Sequence, residues 1–118
     1  MKHHKKVEEL ADDIKACQKI LIALGDESRQ HIIVEMMKMG DCSGVRVGDI
    51  TGHTNLSRPA VSHHLQILKD ARIVKVRKEG TKNFYYFDAD MESFSRLIKM
   101  LSDAKSIMEE LPDRSGDD

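Results

Sequence analysis

The segment from Asn55 to Lys69 places hydrogen-bonding side chains and apolar side chains on opposite sides of one predicted helix. Ser57 is suited to be its N-cap, and Pro59 falls in the first turn, where a missing backbone N–H costs least. At 100° per residue the apolar residues share one side. The polar residues gather on the other side: Arg58, Ser62, Gln66 and Lys69, with His63 at its edge. Arginine can bond guanine and glutamine can bond adenine through two hydrogen bonds, so this polar side is suited to the major groove of DNA.

A basic hairpin is predicted directly after this helix. Residues 73–77 alternate β-branched residues with cations, and residues 83–87 contain four of the five aromatic residues of the chain. Gly80 lies between these two strands and can adopt a positive φ, so the connection forms a tight turn. Cations at such a tip can reach the phosphates beside a recognition helix, although they can also merely keep an exposed hairpin soluble. The candidate phosphate contacts are Ser57, Lys69, Arg77, Lys78 and Lys82.

The rest of the chain predicts helices. Between Val7 and Leu24 the apolar residues are spaced alternately by three and four, which indicates one heptad-like helix ending at Gly25. Asp26 is suited to cap a second helix, and residues 47–53 form a short third one. The same heptad-like spacing returns from Phe94 to Leu111. The predicted fold class is α+β, mostly α: a winged helix-turn-helix with flanking helices and a two-stranded β-hairpin wing.

The two heptad-patterned helices, about 6–24 and 90–111, predict how the protein assembles. They flank a DNA-binding core at about 27–87 within a single domain, 1–112, and the polar tail 113–118 is expected to be disordered. A single DNA-binding core has little specific affinity, whereas two cores in a dimer can bind two half-sites about 34 Å apart. We therefore expect a homodimer on double-stranded operator DNA. The alternative is that both helices simply cover the one domain.

Charge is distributed unevenly along the chain. The net charge is −1, but residues 53–87 hold seven basic and two acidic residues, and residues 88–118 hold four basic and nine acidic ones. A basic block confined to the predicted helix and hairpin is what attraction to phosphates needs. No apolar run is long enough to cross a bilayer and no signal peptide is evident, so we expect a cytoplasmic protein with no membrane partner.

Three segments together resemble the ArsR/SmtB family of winged-helix repressors. They are Ala23–Arg29, Leu56–Leu65 and Ile73–Gly80. The resemblance implies a dimer that sits on operator DNA and dissociates when an inducer, commonly a metal ion or an oxidant, shifts its conformation. It also implies that Arg58, Ser62 and His63 are base-reading residues.

The chain departs from this family at its metal sites. Where the family carries a Cys-x-Cys-Asp box, this chain has Arg46-Val47-Gly48-Asp49, which lacks both thiolates and adds a cation. A second family site uses Asp and His pairs on the C-terminal helix, but residues 88–111 contain no histidine. Adjacent His63 and His64 project about 100° apart and cannot both face one ion from that segment. We expect no metal and no cofactor.

Cys17 and Cys42 are the remaining candidates for a sensor. Some family members pair a thiol on the first helix with one nearer the helix-turn-helix, so the resemblance allows a redox switch between these two residues. Alternatively, Cys17 fills an apolar position of the first helix as a small hydrophobic residue, and Cys42 is an inert loop thiol.

The predicted function is that of a sequence-specific DNA-binding repressor lacking the usual metal sites and released by a non-metal or thiol-based signal. The rival is a winged-helix protein-interaction module without specific operator binding. An enzyme is not expected, because Ser62 beside His63 lacks an orienting third group and an oxyanion hole.

Overall fold

The computed structural model describes residues 4–40, 43–88 and 90–112. Their helices and strands follow one another in the order α1 His4–Ala16, α2 Gln18–Leu24, α3 Glu27–Met39, α4 Val47–Thr54, α5 Arg58–Asp70, β1 Val74–Glu79, β2 Lys82–Phe87 and α6 Glu92–Glu109. The predicted fold class is confirmed: mostly helical, with one two-stranded antiparallel hairpin. Cys42 and the tail 113–118 lie outside the described residues.

Helices α3, α4 and α5 form the helix-turn-helix core. Asp26 caps α3, as predicted, by accepting a hydrogen bond from the Arg29 backbone N–H at 3.0 Å. Asn55 makes the turn between α4 and α5 in the left-handed conformation, with φ 59°. Ser57 caps α5, as predicted, by accepting from the Ala60 N–H at 3.2 Å. The apolar residues of these helices meet in one core with those of α2, β1 and α6.

The prediction of one continuous helix up to Leu24 is wrong. The structure divides it at Cys17 into α1 and α2. The buried residues of α2 are Ile20 and Ala23, whereas Leu21, which belongs to the heptad-like apolar pattern, is 36% exposed. The division lets the two parts pack on different neighbours, α1 on α6 and α2 on α3 and α5. One straight helix with a single apolar stripe could not serve both surfaces.

The hairpin is anchored to the helix-turn-helix by a third segment. The β1–β2 loop is two residues long, since Glu79 pairs with Lys82, and Gly80 has the predicted positive φ of 61°. Val45 forms a bridge with Tyr85 through two backbone hydrogen bonds of 2.8 Å. A Cβ on the preceding Gly44, which has φ 111°, would lie 3.0 Å from the Phe84 Cβ. A glycine is therefore needed where the α3–α4 connection lies against β2.

Within these described ranges, no helix is both long and apolar enough to span a membrane.

Candidate nucleic-acid interface

Helix α5 presents one face to the core and the other to solvent. Val61, Leu65 and Leu68 are completely buried. The five candidate base and phosphate contacts on this helix are all exposed: Arg58, Ser62, His63, Gln66 and Lys69. The structure thus brings these five side chains to one surface of a helix whose back is fixed by the core. That arrangement presents donors and acceptors without requiring the helix to move.

Two side chains on the exposed face of α5 have neighbours within the protein. A Cβ on Gly48 would lie 3.5 Å from Arg58 Nη1, so the guanidinium group rests over the start of α4 where a side chain is absent. Gln66 Nε2 donates to Asp70 Oδ1 at 2.9 Å. Gln66 must therefore exchange this carboxylate for a base edge on binding, which lowers its net contribution.

The wing cations fall into two groups. Lys78 and Lys82 are exposed near the tip of the hairpin. Arg77 instead lies 4.9 Å from the centroid of the Phe84 ring, donates to the Ser43 carbonyl and pairs with Glu79 at 3.1 Å. These contacts hold the guanidinium group against β2 and the α3–α4 connection, so Arg77 is better placed to orient the wing than to contact DNA.

Arg29, for which the sequence predicts no role, is buried between α2 and α5. Its side chain donates to the carbonyls of Ala23 at 2.8 Å and Ile22 at 2.9 Å, and its Nη1 lies 3.2 Å from His64 Nδ1. The C-terminal carbonyls of a helix lack helical partners, and the buried guanidinium group supplies a donor to that of Ala23. The Ile22 carbonyl accepts from both Arg29 and the Gly25 N–H, the latter at 3.2 Å. The signal available in the sequence was an arginine three residues after an N-cap aspartate, which by itself names no partner.

His64 is partly buried, and burial lowers its pKa because the charged ring is poorly solvated. The nearby charges of Arg29 and His63 lower the pKa further, while Asp26 acts in the opposite direction. The neutral ring can accept the Arg29 hydrogen bond at Nδ1, and the protonated ring cannot.

This environment predicts a pH dependence of stability. The folded protein binds a proton at His64 less readily than the unfolded chain, in which histidine has a pKa of about 6.5. The stability that neutral His64 contributes is therefore fully present above that pH, and it is lost as the pH falls towards the lower pKa of the folded state. Urea unfolding at pH 7.5 and 5.5 should show a smaller loss of unfolding free energy in His64→Gln than in the wild type. His53→Gln, on the exposed end of α4, is the control; equal losses in the wild type and His64→Gln would contradict the assignment.

The segment Arg46–Asp49, which replaces the family's metal box, lies at the start of α4. The Arg46 backbone N–H donates to Asp49 Oδ2 at 3.0 Å there. In the part of the chain that the structure describes, no three His, Cys, Asp or Glu side chains form a cluster that could hold a metal ion. Cys17 is 2% exposed and belongs to the apolar core.

The fold and the exposed polar face of α5 define a winged helix-turn-helix regulator. Residues 26–76 match the family described as "Bacterial regulatory protein, arsR family". The chain is 38% identical over 84 residues to an uncharacterized HTH-type transcriptional regulator of Methanocaldococcus jannaschii, a match that covers 71% of this chain and 89% of that protein. The chain belongs to the ArsR family of transcriptional regulators, as the resemblance implied.

Other relatives agree with this assignment. The arsenical resistance operon repressor of Staphylococcus aureus is 34% identical over 71 residues, which cover 60% of this chain and 64% of that protein. The crystal structure of an ArsR family transcriptional regulator matches with a TM-score of 0.65 at 17% identity, covering 80% of this chain and 92% of that one. A homodimeric winged helix-turn-helix DNA-binding domain from Mycobacterium bovis matches with a TM-score of 0.57 at 18% identity, covering 92% and 94%. At these identities the two structural matches show a shared fold.

Proposed function

We propose that this protein is a homodimeric repressor that occupies a partly palindromic operator. Arg58, Ser62 and His63 read base edges, with Gln66 contributing after it leaves Asp70. Phosphates are held by Ser57, Lys69, Lys78 and Lys82, while Arg77 orients the wing. The observation that carries this proposal is the exposed polar face of α5, backed by three completely buried apolar residues.

Dimerisation is supported by apolar side chains that the single chain leaves in solvent. Helices α1 and α6 pack together, and Lys99 joins them by an ion pair with Asp13 at 2.7 Å. On α6, Leu97 and Met100 face the core. The large apolar residues left exposed on this helix pair are Val7, Ile14, Ile98, Leu101 and Met108. A second copy of the chain would cover such a surface, and the homodimeric neighbour from Mycobacterium bovis shows that this fold can assemble in pairs.

Release from DNA is proposed to follow a signal other than binding of a metal at the family's usual positions. Arg46 and Gly48 occupy the positions at which the family box has thiolates, and residues 88–111 contain no histidine. A thiol-based signal through Cys17 and Cys42 stays a prediction. Burial of Cys17 favours a packing role, because a thiol must become accessible to react.

Alanine substitutions should separate base contacts from phosphate contacts. Arg58→Ala is expected to cost about 1–3 kcal/mol on the specific operator and to relax the preference at one base pair. Lys82→Ala should weaken all sequences alike and reduce the salt slope of binding by about one unit. The dissociation constants of both variants are measured by fluorescence anisotropy on specific and random duplexes at several salt concentrations. If both variants weaken the two duplexes equally, the division of roles is incorrect.

The repressor and the interaction module are distinguished by selection of bound fragments from genomic DNA, first at low and then at moderate salt. A repressor retains a defined set of fragments at moderate salt. Loss of all binding without selection of any fragment would contradict the proposal.

A further inference from the structure

A polar cavity of about 320 Å³ lies where the recognition helix α5 ends. Its walls are the α1–α2 junction, the residues that close α5, and the first turns of α6. A cavity of this volume lies within the range of small-molecule sites. It touches both the helix proposed to read DNA and the helices proposed to form the dimer.

Each wall of the cavity contributes one cation: Lys19, Arg72 and Arg96. None of the three has an ion pair within the ranges 4–40, 43–88 and 90–112. The carboxylates in the lining are Asp70, which already accepts the hydrogen bond from Gln66, and Glu92. Three cations and two carboxylates give the lining a net charge of +1, and Glu92 is the carboxylate that Gln66 does not occupy.

The start of α6 forms one side of the cavity. Glu92 and Ser93 belong to the first turn of an eighteen-residue helix, whose N-terminal end carries partial positive charge. Asp90 Oδ1 already accepts from the Glu92 backbone N–H at 3.1 Å there, so the cations rather than this helix end provide the binding groups for an anion.

Arg72 occupies a backbone conformation that glycine would favour. Its φ is 61°, and it closes α5 with hydrogen bonds from the Arg72 N–H to the Lys69 carbonyl at 3.0 Å and from the Ile73 N–H to the Leu68 carbonyl at 2.9 Å. This is the position after a helix end at which glycine is usual. Arginine there accepts a conformational cost while placing a guanidinium group in the wall of the cavity.

We propose that this cavity binds a small hydroxylated organic anion, with its phosphate or carboxylate group facing Lys19, Arg72 and Arg96 and a hydroxyl group donating to Glu92. Because the three cations belong to different walls, a bound anion contacts the end of α5, the α1–α2 junction and α6 at the same time. Such a ligand favours one arrangement of the DNA-binding core relative to the helices proposed to form the dimer, and so changes operator affinity. This last step rests on the proposed repressor function, whereas the binding site itself does not.

Binding is tested on the full chain without DNA, by calorimetry and thermal unfolding. The probes are glucose 6-phosphate, inorganic phosphate and citrate, with glucose and sodium chloride at matched ionic strength as controls. At least one anionic probe should bind and raise the Tm, since a ligand of the folded state stabilises it, while both controls leave the Tm unchanged. The stronger probe identifies phosphate or carboxylate as the natural group. Equal effects of the anions and of sodium chloride would overturn the proposal.

Variants locate the site. Arg72→Gly and Arg96→Gln should each bind the anion at least about tenfold more weakly, and Lys105→Gln, farther along α6 and outside the cavity, should bind like the wild type. Arg72→Gly suits the left-handed backbone, so its Tm without ligand should not fall. Wild-type anion affinity in both cavity variants would overturn the assignment.

The regulatory step is read from operator affinity with and without saturating anion. The wild type should change at least about threefold, and Arg96→Gln should not respond. An unchanged operator affinity in anion-bound wild type would overturn the coupling. If no small anion binds, and the cavity variants instead lower the salt dependence of DNA binding, the cations serve DNA phosphates and the site is refuted.

Discussion

Replacing Ile98 and Leu101 by glutamate is expected to give a folded monomer with at least about a hundredfold lower operator affinity. Both residues lie on α6 and are more than half exposed in the single chain, at 65% and 54%, so the charges do not enter the core. In the proposed dimer the same carboxylates would be transferred from water into an apolar contact, which is strongly unfavourable. A hundredfold loss corresponds to about 2.7 kcal/mol, a reasonable cost for losing simultaneous contact with two half-sites. Sedimentation velocity and anisotropy with a two-half-site duplex measure the two effects.

The matched control for this prediction is Met37→Glu. Met37 is 63% exposed on α3, away from the α1–α6 pair, and should remain dimeric with unchanged DNA binding. Circular dichroism establishes that each variant is folded. A folded Ile98→Glu/Leu101→Glu protein that is still dimeric would place the interface elsewhere, and a monomer that binds the operator normally would contradict the role of dimerisation.

Arg29→Met should lower the free energy of unfolding by about 2–4 kcal/mol. The substitution keeps a flexible apolar stem but leaves the buried Ala23 carbonyl without the Arg29 donor, which is costly. The Ile22 carbonyl loses one of its two donors and keeps the hydrogen bond from the Gly25 N–H at 3.2 Å. It also removes the donor from His64, which links α3 to α5. Against a typical total stability of about 5–15 kcal/mol, this loss is large. Urea unfolding with a linear extrapolation measures it.

Gln30→Ala provides the comparison for Arg29. Gln30 Nε2 also donates to a carbonyl at the end of α2, that of Leu24 at 2.7 Å, but this bond is exposed. Water can replace it, so a loss of at most about 1 kcal/mol is expected. If Arg29→Met loses no more than Gln30→Ala, the buried guanidinium group does not secure α2 to the helix-turn-helix.

Most local features of this protein are determined by short stretches of sequence. Each of these features depends on residues within a few positions of one another: the caps Asp26 and Ser57, the positive φ of Gly80, and the separation of polar and apolar residues onto two faces of α5. Capping, left-handed turns and helical periodicity are local effects, and this is why they could be predicted without coordinates. The family assignment followed from the same segments, because they contain the helix-turn-helix and the wing.

Contacts between distant parts of the chain needed the tertiary structure. The break at Cys17 depends on α1 and α2 having different packing partners, and heptad spacing alone predicts one uninterrupted helix. Arg77 and Lys78 are adjacent cations in β1, yet only the fold brings Phe84 and Ser43 to the Arg77 guanidinium group.

The amino-acid sequence by itself determined the winged helix-turn-helix, the face of α5 that points outward and the family to which the protein belongs. The tertiary structure alone decided which cations are free and which are anchored, that Arg29 meets His64, and that Lys19, Arg72 and Arg96 share one cavity. The physical reason is the range of the interactions. Helix periodicity and capping act over about one turn, whereas burial and side-chain partnership depend on which surfaces the folded chain brings together.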